Sequence, residues 1–230
     1  MRRIHILLSI QSLLAILVSI NRLGSWTLGY AHPNQFLRWV DLNNILVSFV
    51  SLIVAYLLKK SIEYNSPARE SATHTAWNLV FFVGVYLSAL SYGFHEMTNY
   101  LHVRFCEPDP GTDLCRIIIF NDDQFSHWLF FAGFIMANAA ILFLQVLFPH
   151  QGDMRVSDVA LLFANSLFLG LGVMANLGFE EIGLDLVVVA FLALVSAYLL
   201  WTRGRQPMFI YYTSVYWLGL VGSLLAQALR

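Results

Sequence analysis

Long apolar runs separated by short polar stretches set the pattern of this chain. They fall at roughly 4–21, 42–62, 76–100, 124–148, 156–178, 184–202 and 207–229, each close to the roughly 20 residues that a helix needs to cross a hydrocarbon layer about 30 Å thick. The runs are too long and too uniformly apolar for barrel strands, which alternate over about ten residues. The pattern predicts an all-α polytopic membrane protein, with seven transmembrane helices in one bundle and residues 1–230 forming a single domain. Composition agrees: 58% of residues are hydrophobic and 12% charged, against about half and a quarter in soluble chains. The first run starts with Arg2 and Arg3 in the manner of a signal peptide. No small-x-small cleavage site follows Ile20, so it is expected to remain as a helix.

Loop charge sets the expected orientation. With a cytoplasmic N-terminus, the inner side carries Arg2, Arg3, Lys59, Lys60, Arg69, Arg155, Arg203 and Arg205. The outer side carries Arg22, Arg38, Arg104, Arg116 and Arg230. The positive-inside rule then gives N-in and C-out. The only two cysteines, Cys106 and Cys115, flank a Pro/Gly-rich turn on the predicted outer side. Such a pair in an oxidising compartment is expected to form a disulfide.

Polar residues inside the runs are the candidate chemistry, because titratable groups at membrane depth are rare and costly. At helical spacing Ser88, Ser91, His95, Asn99 and His102 fall within about 80° of one another on the third helix. Asp123 and His127 are i,i+4 neighbours at the start of the fourth, with Asn138 on the same face. On the fifth, Asp158, Asn165, Asn176 and Glu180 share a face, and Gly172 is expected to allow close approach of a neighbour. These stripes are expected to meet at the outer end. Isolated Ser and Asn residues serve as interhelical hydrogen-bonding groups, and His102 and Asp122 are expected to be solvated near the interface.

Imidazole and carboxylate donors suit zinc, with iron or manganese as alternatives. The expected metal ligands are His95, His127 and Glu180, with Ser91 and Asp123 as catalytic groups orienting ligands and moving protons. Ser91-Tyr-Gly-Phe-His95 and Asp123-Gln-Phe-Ser126 resemble, in order and position, two motifs of the CREST superfamily of seven-helix membrane hydrolases, which includes alkaline ceramidases and the progestin and adipoQ receptors. The resemblance covers about 40 residues and departs from the family in two ways. The last helix, Met208 to Leu229, has no histidine, and the first motif lies in the third helix rather than the second. It implies a zinc-dependent hydrolase acting on a lipid amide or ester near the outer leaflet, with His127 and Glu180 in place of the missing ligands. The implied partners are membrane lipids and a lipid substrate, not nucleic acid.

Other classes stay open on the residues alone. His95 and His127 suit bis-imidazole ligation of haem b in a redox or sensory module. A non-catalytic receptor or assembly subunit would use the same cluster to hold helices together. A transporter is less well supported, since no Gly/Pro-broken helices occupy matching halves. A covalent retinal pigment is excluded, because the only lysines, Lys59 and Lys60, lie in an inner loop.

Overall fold

The computed structural model describes residues 1–63, 67–179 and 183–229. It contains seven helices long and apolar enough to cross a membrane, which marks a multi-pass membrane protein. The helices are α1 (Arg2–Leu23), α2 (Trp39–Ile62), α3 (Ala72–Leu101), α4 (Asp113–Phe120), α5 (Ser126–Leu147), α6 (Val156–Phe179), α7 (Leu184–Arg203) and α8 (Pro207–Ala228). In hydrocarbon every backbone N–H and C=O must be satisfied within the chain, and apolar segments of this length do so as helices. Leu79, Phe82, Tyr86, Leu194 and Leu224 point outward, as lipid-facing side chains do. Trp26, Trp39 and Trp201, exposed near helix ends, suit the interfacial belt.

The main contacts close a ring in the order α1, α2, α3, α5, α7, α8, α6 and back to α1, with α8 also touching α5. One close seam joins α3 to α5. A Cβ built on Gly84 would stand 2.6 Å from the backbone nitrogen of Ala137, and one on Gly133 2.6 Å from the carbonyl oxygen of Gly84. Only glycine permits that approach. Gly172, in contrast, has nothing within 4 Å of an added Cβ; it lines an open groove beside α1, and the close approach on α6 is made by Gly170 against Leu218 and Val215.

The stretch between the third and fourth apolar runs differs from a loop. α3 continues without a break into a π-helical turn, His102–Cys106, and α4 leads through a second π-turn, Asn121–Phe125, into α5. Only Glu107–Thr112 separates the two arms. The Thr112 hydroxyl caps α4 by accepting from the backbone N–H of Cys115 at 3.2 Å, satisfying one of the free N–H groups of the helix start. Cys106 and Cys115 form a disulfide, with their Cα atoms 5.3 Å apart, which ties the arms together.

Candidate metal centre

The two π-turns lie at the disulfide end of the bundle, where His102 of the first meets Asp122 of the second. A π-turn accommodates one extra residue and is frequent at functional sites. It also re-aims what it carries. Asp122, expected to be solvated, is buried at 1% exposure; Asp123, expected to be the inward acid, has a half-exposed side chain. The i,i+4 arithmetic selected Asp123 as the neighbour of His127, but the wider turn directs Asp122 into the bundle instead.

His102 Nδ1 stands 2.9 Å from Asp122 Oδ2 and 3.8 Å from Asp123 Oδ1. Each of these three residues offers a ligand atom within 4.8 Å of the other two. Asn99 Nδ2 donates to Asp122 Oδ2 at 3.3 Å, and Thr98 Oγ1 to Asp122 Oδ1 at 3.4 Å. His95 adjoins them. Its Nε2 is 3.9 Å from Asp122 Oδ1, its Nδ1 is buried without a hydrogen-bond partner, and its ring touches that of His127 with centroids 5.2 Å apart. His95, His127, His102, Asp122 and Asp123 are thus brought to one place by α3, the two π-turns and α5.

Ser91 takes another part. Its buried hydroxyl donates to the Ser126 carbonyl at 2.7 Å, and Ser126 Oγ donates to the Asp122 carbonyl at 2.5 Å. With its proton committed to the backbone, Ser91 braces the π-turn that carries Asp122. Glu180 lies outside the described residues. The polar face of α6 is spent on α1: His5 Nε2 meets Asp158 at 2.8 Å and Ser12 Oγ donates to Asn165 Oδ1 at 2.9 Å. Packing α6 between α1 and α8 directs that stripe away from the α3–α5 seam.

Sequence reasoning passed over Glu96. Its side chain is 3% exposed, accepts from Arg22 at 2.7 Å and from Asn44 at 2.9 Å, and stands 3.6 Å from His95 Nδ1. An acid at membrane depth beside a candidate histidine was the available signal. Arg38 forks onto Asp41 through two 2.8 Å hydrogen bonds and reaches Asn99 at 3.2 Å. That fork raises the affinity of the Arg38 guanidinium for its proton against the cost of burial and keeps the group charged. Tyr100 and Arg104 both donate to the Gln35 carbonyl, fastening the α1–α2 connection over this end.

Two open grooves flank α1. One, of about 280 Å³, runs between α1 and α2, with Leu17, Ile20, Leu46 and Val47 as its apolar wall and Asn21 and Asn43 as polar lining. The other, of about 490 Å³, lies between α1 and α6. Neither is lined by the histidines or Asp122. The first is joined to the site by hydrogen bonds, since Asn21 donates to Asn44, and Asn44 to Glu96.

The chain matches no family model, no curated protein and no solved structure.

Proposed function

We propose that this protein is a metal-dependent membrane hydrolase that cleaves a lipid amide or ester at the extracytoplasmic interface, with the N-terminus cytoplasmic and the C-terminus outside. The carrying observation is the placement of His102, Asp122 and Asp123, on adjoining π-turns, with ligand atoms within 4.8 Å of one another. One imidazole and two carboxylates fit a divalent ion of borderline or hard character, zinc first and iron or manganese next. The short His102–Asp122 contact is a hydrogen bond, whose proton an ion would replace. His102 thus offers the imidazole that the last helix lacks by comparison with the CREST pattern.

A bound ion would supply Lewis acidity and make water easier to deprotonate near neutral pH. The chain's own part is to hold the ion and handle the proton. His95, with Nδ1 facing the buried Glu96 carboxylate and Nε2 beside Asp122, is placed to accept a proton from water and return it to the leaving group. Asp123, on the solvent side, closes the ligand set, and His127 supports the His95 ring. The groove between α1 and α2 offers an acyl chain an apolar wall at membrane depth. The ring contact between His95 and His127 leaves no slot for a porphyrin between two axial imidazoles, which argues against haem.

Elemental analysis of detergent-purified protein tests this reading, together with turnover of a panel of lipid amides and esters. His102→Ala and Asp122→Asn should lose metal and activity; His95→Gln should keep metal and lose turnover by about 10²-fold or more. Wild-type protein unable to take up zinc, iron or manganese would refute the proposal and leave the cluster as a clasp between α3 and α5, as in a receptor or assembly subunit.

A further inference from the structure

A second titratable cluster lies at the opposite end of the bundle, outside the proposed metal centre. Lys59 and Glu63, one turn apart at the end of α2, are buried with His74 from the first turn of α3. Lys59 Nζ at 2.5 Å and His74 Nε2 at 2.9 Å approach the same oxygen, Glu63 Oε1. His74 Nδ1 stands 2.7 Å from the carbonyl oxygen of Arg69, in the 3₁₀ turn Pro67–Glu70 that precedes α3. Phe148, just past α5, packs edge-on against the imidazole with ring centroids 5.2 Å apart. Lys60 and Arg69 are the other charges felt at this end.

Counting protons shows what this geometry requires. A backbone carbonyl only accepts, so His74 Nδ1 must carry hydrogen. In a neutral ring Nε2 would then present its lone pair to a carboxylate oxygen 2.9 Å away, a repulsive contact. The contact is attractive only if one more proton is present, either on Nε2, giving imidazolium facing carboxylate, or on Glu63, giving a carboxylic acid that donates to imidazole. The Asn78 amide nitrogen, 3.0 Å from the same Nε2, can donate to that lone pair but cannot make Oε1 a donor. Lys59 supplies positive charge to Oε1 without placing a proton between the two groups.

We infer that Glu63 and His74 bind one proton in common, forming a proton-binding site that locks the α2–α3 connection. When that proton leaves, neither neutral tautomer keeps both the Glu63 and the Arg69 contact attractive. With hydrogen on Nδ1 it faces the carboxylate with a lone pair; with hydrogen moved to Nε2 it faces the Arg69 carbonyl with one. Either the carboxylate contact or the turn contact must break. The lock holds while the proton is bound and is lost when the proton departs, which frees the Pro67–Glu70 turn.

Nitrogen-15 spectra of histidine-labelled protein, with the His74 signals assigned by their loss in His74→Gln, read the proton directly. They should show Nδ1 protonated at neutral pH; a ring with bare Nδ1 and protonated Nε2 would overturn the inference. In parallel, a cysteine at Glu70 is labelled with maleimide relative to one at Gln151, in the loop at the same end, from about pH 6 to about pH 9, bracketing the histidine range. The ratio should rise by roughly tenfold with pH, the opening expected on losing one charge-assisted hydrogen bond. In Glu63→Gln, whose amide can donate to Nε2 at any pH, it should stay flat. A flat ratio in the wild-type background, or an equal rise in Glu63→Gln, would defeat the proposal.

Discussion

Gly133→Ala tests the α3–α5 seam on which the whole site depends. The added Cβ would stand 2.6 Å from the Gly84 carbonyl oxygen and 2.7 Å from the Ser88 backbone nitrogen. Ordinary contact begins at 3.4 Å, so 3.4 − 2.6 gives a shortfall of 0.8 Å against backbone, which cannot rotate away. Overpacking of this kind costs about 1–3 kcal/mol, while alanine recovers at most about 1 kcal/mol of helix propensity. The expected net loss is up to about 2 kcal/mol even with that gain in full, or up to several degrees in the unfolding midpoint for a chain of this size. Gly93→Ala and Gly172→Ala are the controls: nothing lies within 4 Å of either added Cβ, so both should be neutral or gain a few tenths to about 1 kcal/mol. Midpoints are compared in one detergent at one scan rate, because membrane proteins often unfold irreversibly. Gly133→Ala melting at or above Gly93→Ala would refute the packing argument. Since α3 carries His95 and runs on into the turn bearing His102, while α5 follows the turn bearing Asp122, metal uptake should weaken in Gly133→Ala and not in Gly93→Ala.

The sequence made the seven helices legible because length and hydropathy suffice in a medium where backbone satisfaction leaves little choice. The Cys106–Cys115 pair was equally readable from its Pro/Gly turn. The arms on either side of it were not. Residues 101–123 are polar enough to end an apolar window, yet they form two helical arms on either side of Glu107–Thr112, one capped by Thr112 and both tied by the disulfide. Periodicity then fails at the two π-turns, because 3.6-residue arithmetic cannot register an inserted residue, and this exchanged the parts of Asp122 and Asp123. The stripe on α6 was a real polar face with the wrong partner. A helical wheel gives a face's direction relative to its own axis and nothing about which neighbour it meets, so His5 and Ser12 of α1 stand where α3 was expected. Glu96 was missed because its neighbour His95 already explained why the local pattern was polar.

Four further outcomes separate the roles assigned above. Asp122→Asn should destabilise the metal-free protein by about 1–3 kcal/mol, since a buried acceptor of Asn99 and His102 is weakened, whereas half-exposed Asp123→Asn should stay within about 0.5 kcal/mol; thermal unfolding in the reverse order would place Asp123 inside. Arg22→Met should cost about 1–3 kcal/mol, because it takes a donor from the Glu96 carboxylate, which is 3% exposed, and a buried acceptor short of a partner costs about that. Glu96→Leu should cost more in the same assay, since it leaves the buried Asn44 amide without its acceptor, and equal losses would contradict this. Single cysteines at Asn34 and Glu70 should react with an impermeant maleimide from opposite sides of sealed vesicles, Glu70 from the cytoplasmic side; the same side for both would break the seven-span arrangement. The last outcome concerns the disulfide, which joins Cys106, the end of the first π-turn, to Cys115, in the first turn of the α4 helix that leads into the second. Its loop is short, so its loss should cost the fold only about 2–3 kcal/mol. Its local effect should be larger, because His102 lies on one stapled arm and Asp122 on the other. Without the bond, their register depends on the Ser91–Ser126 and Asn99–Asp122 hydrogen bonds, each worth only about 1 kcal/mol. Reduction, or Cys106→Ala with Cys115→Ala, should therefore shift the His102 ring nitrogen signals and weaken metal uptake by roughly tenfold or more while helix content by circular dichroism stays constant. Unchanged His102 signals in the reduced protein would show that the helices alone set the site and that the disulfide serves only the turn.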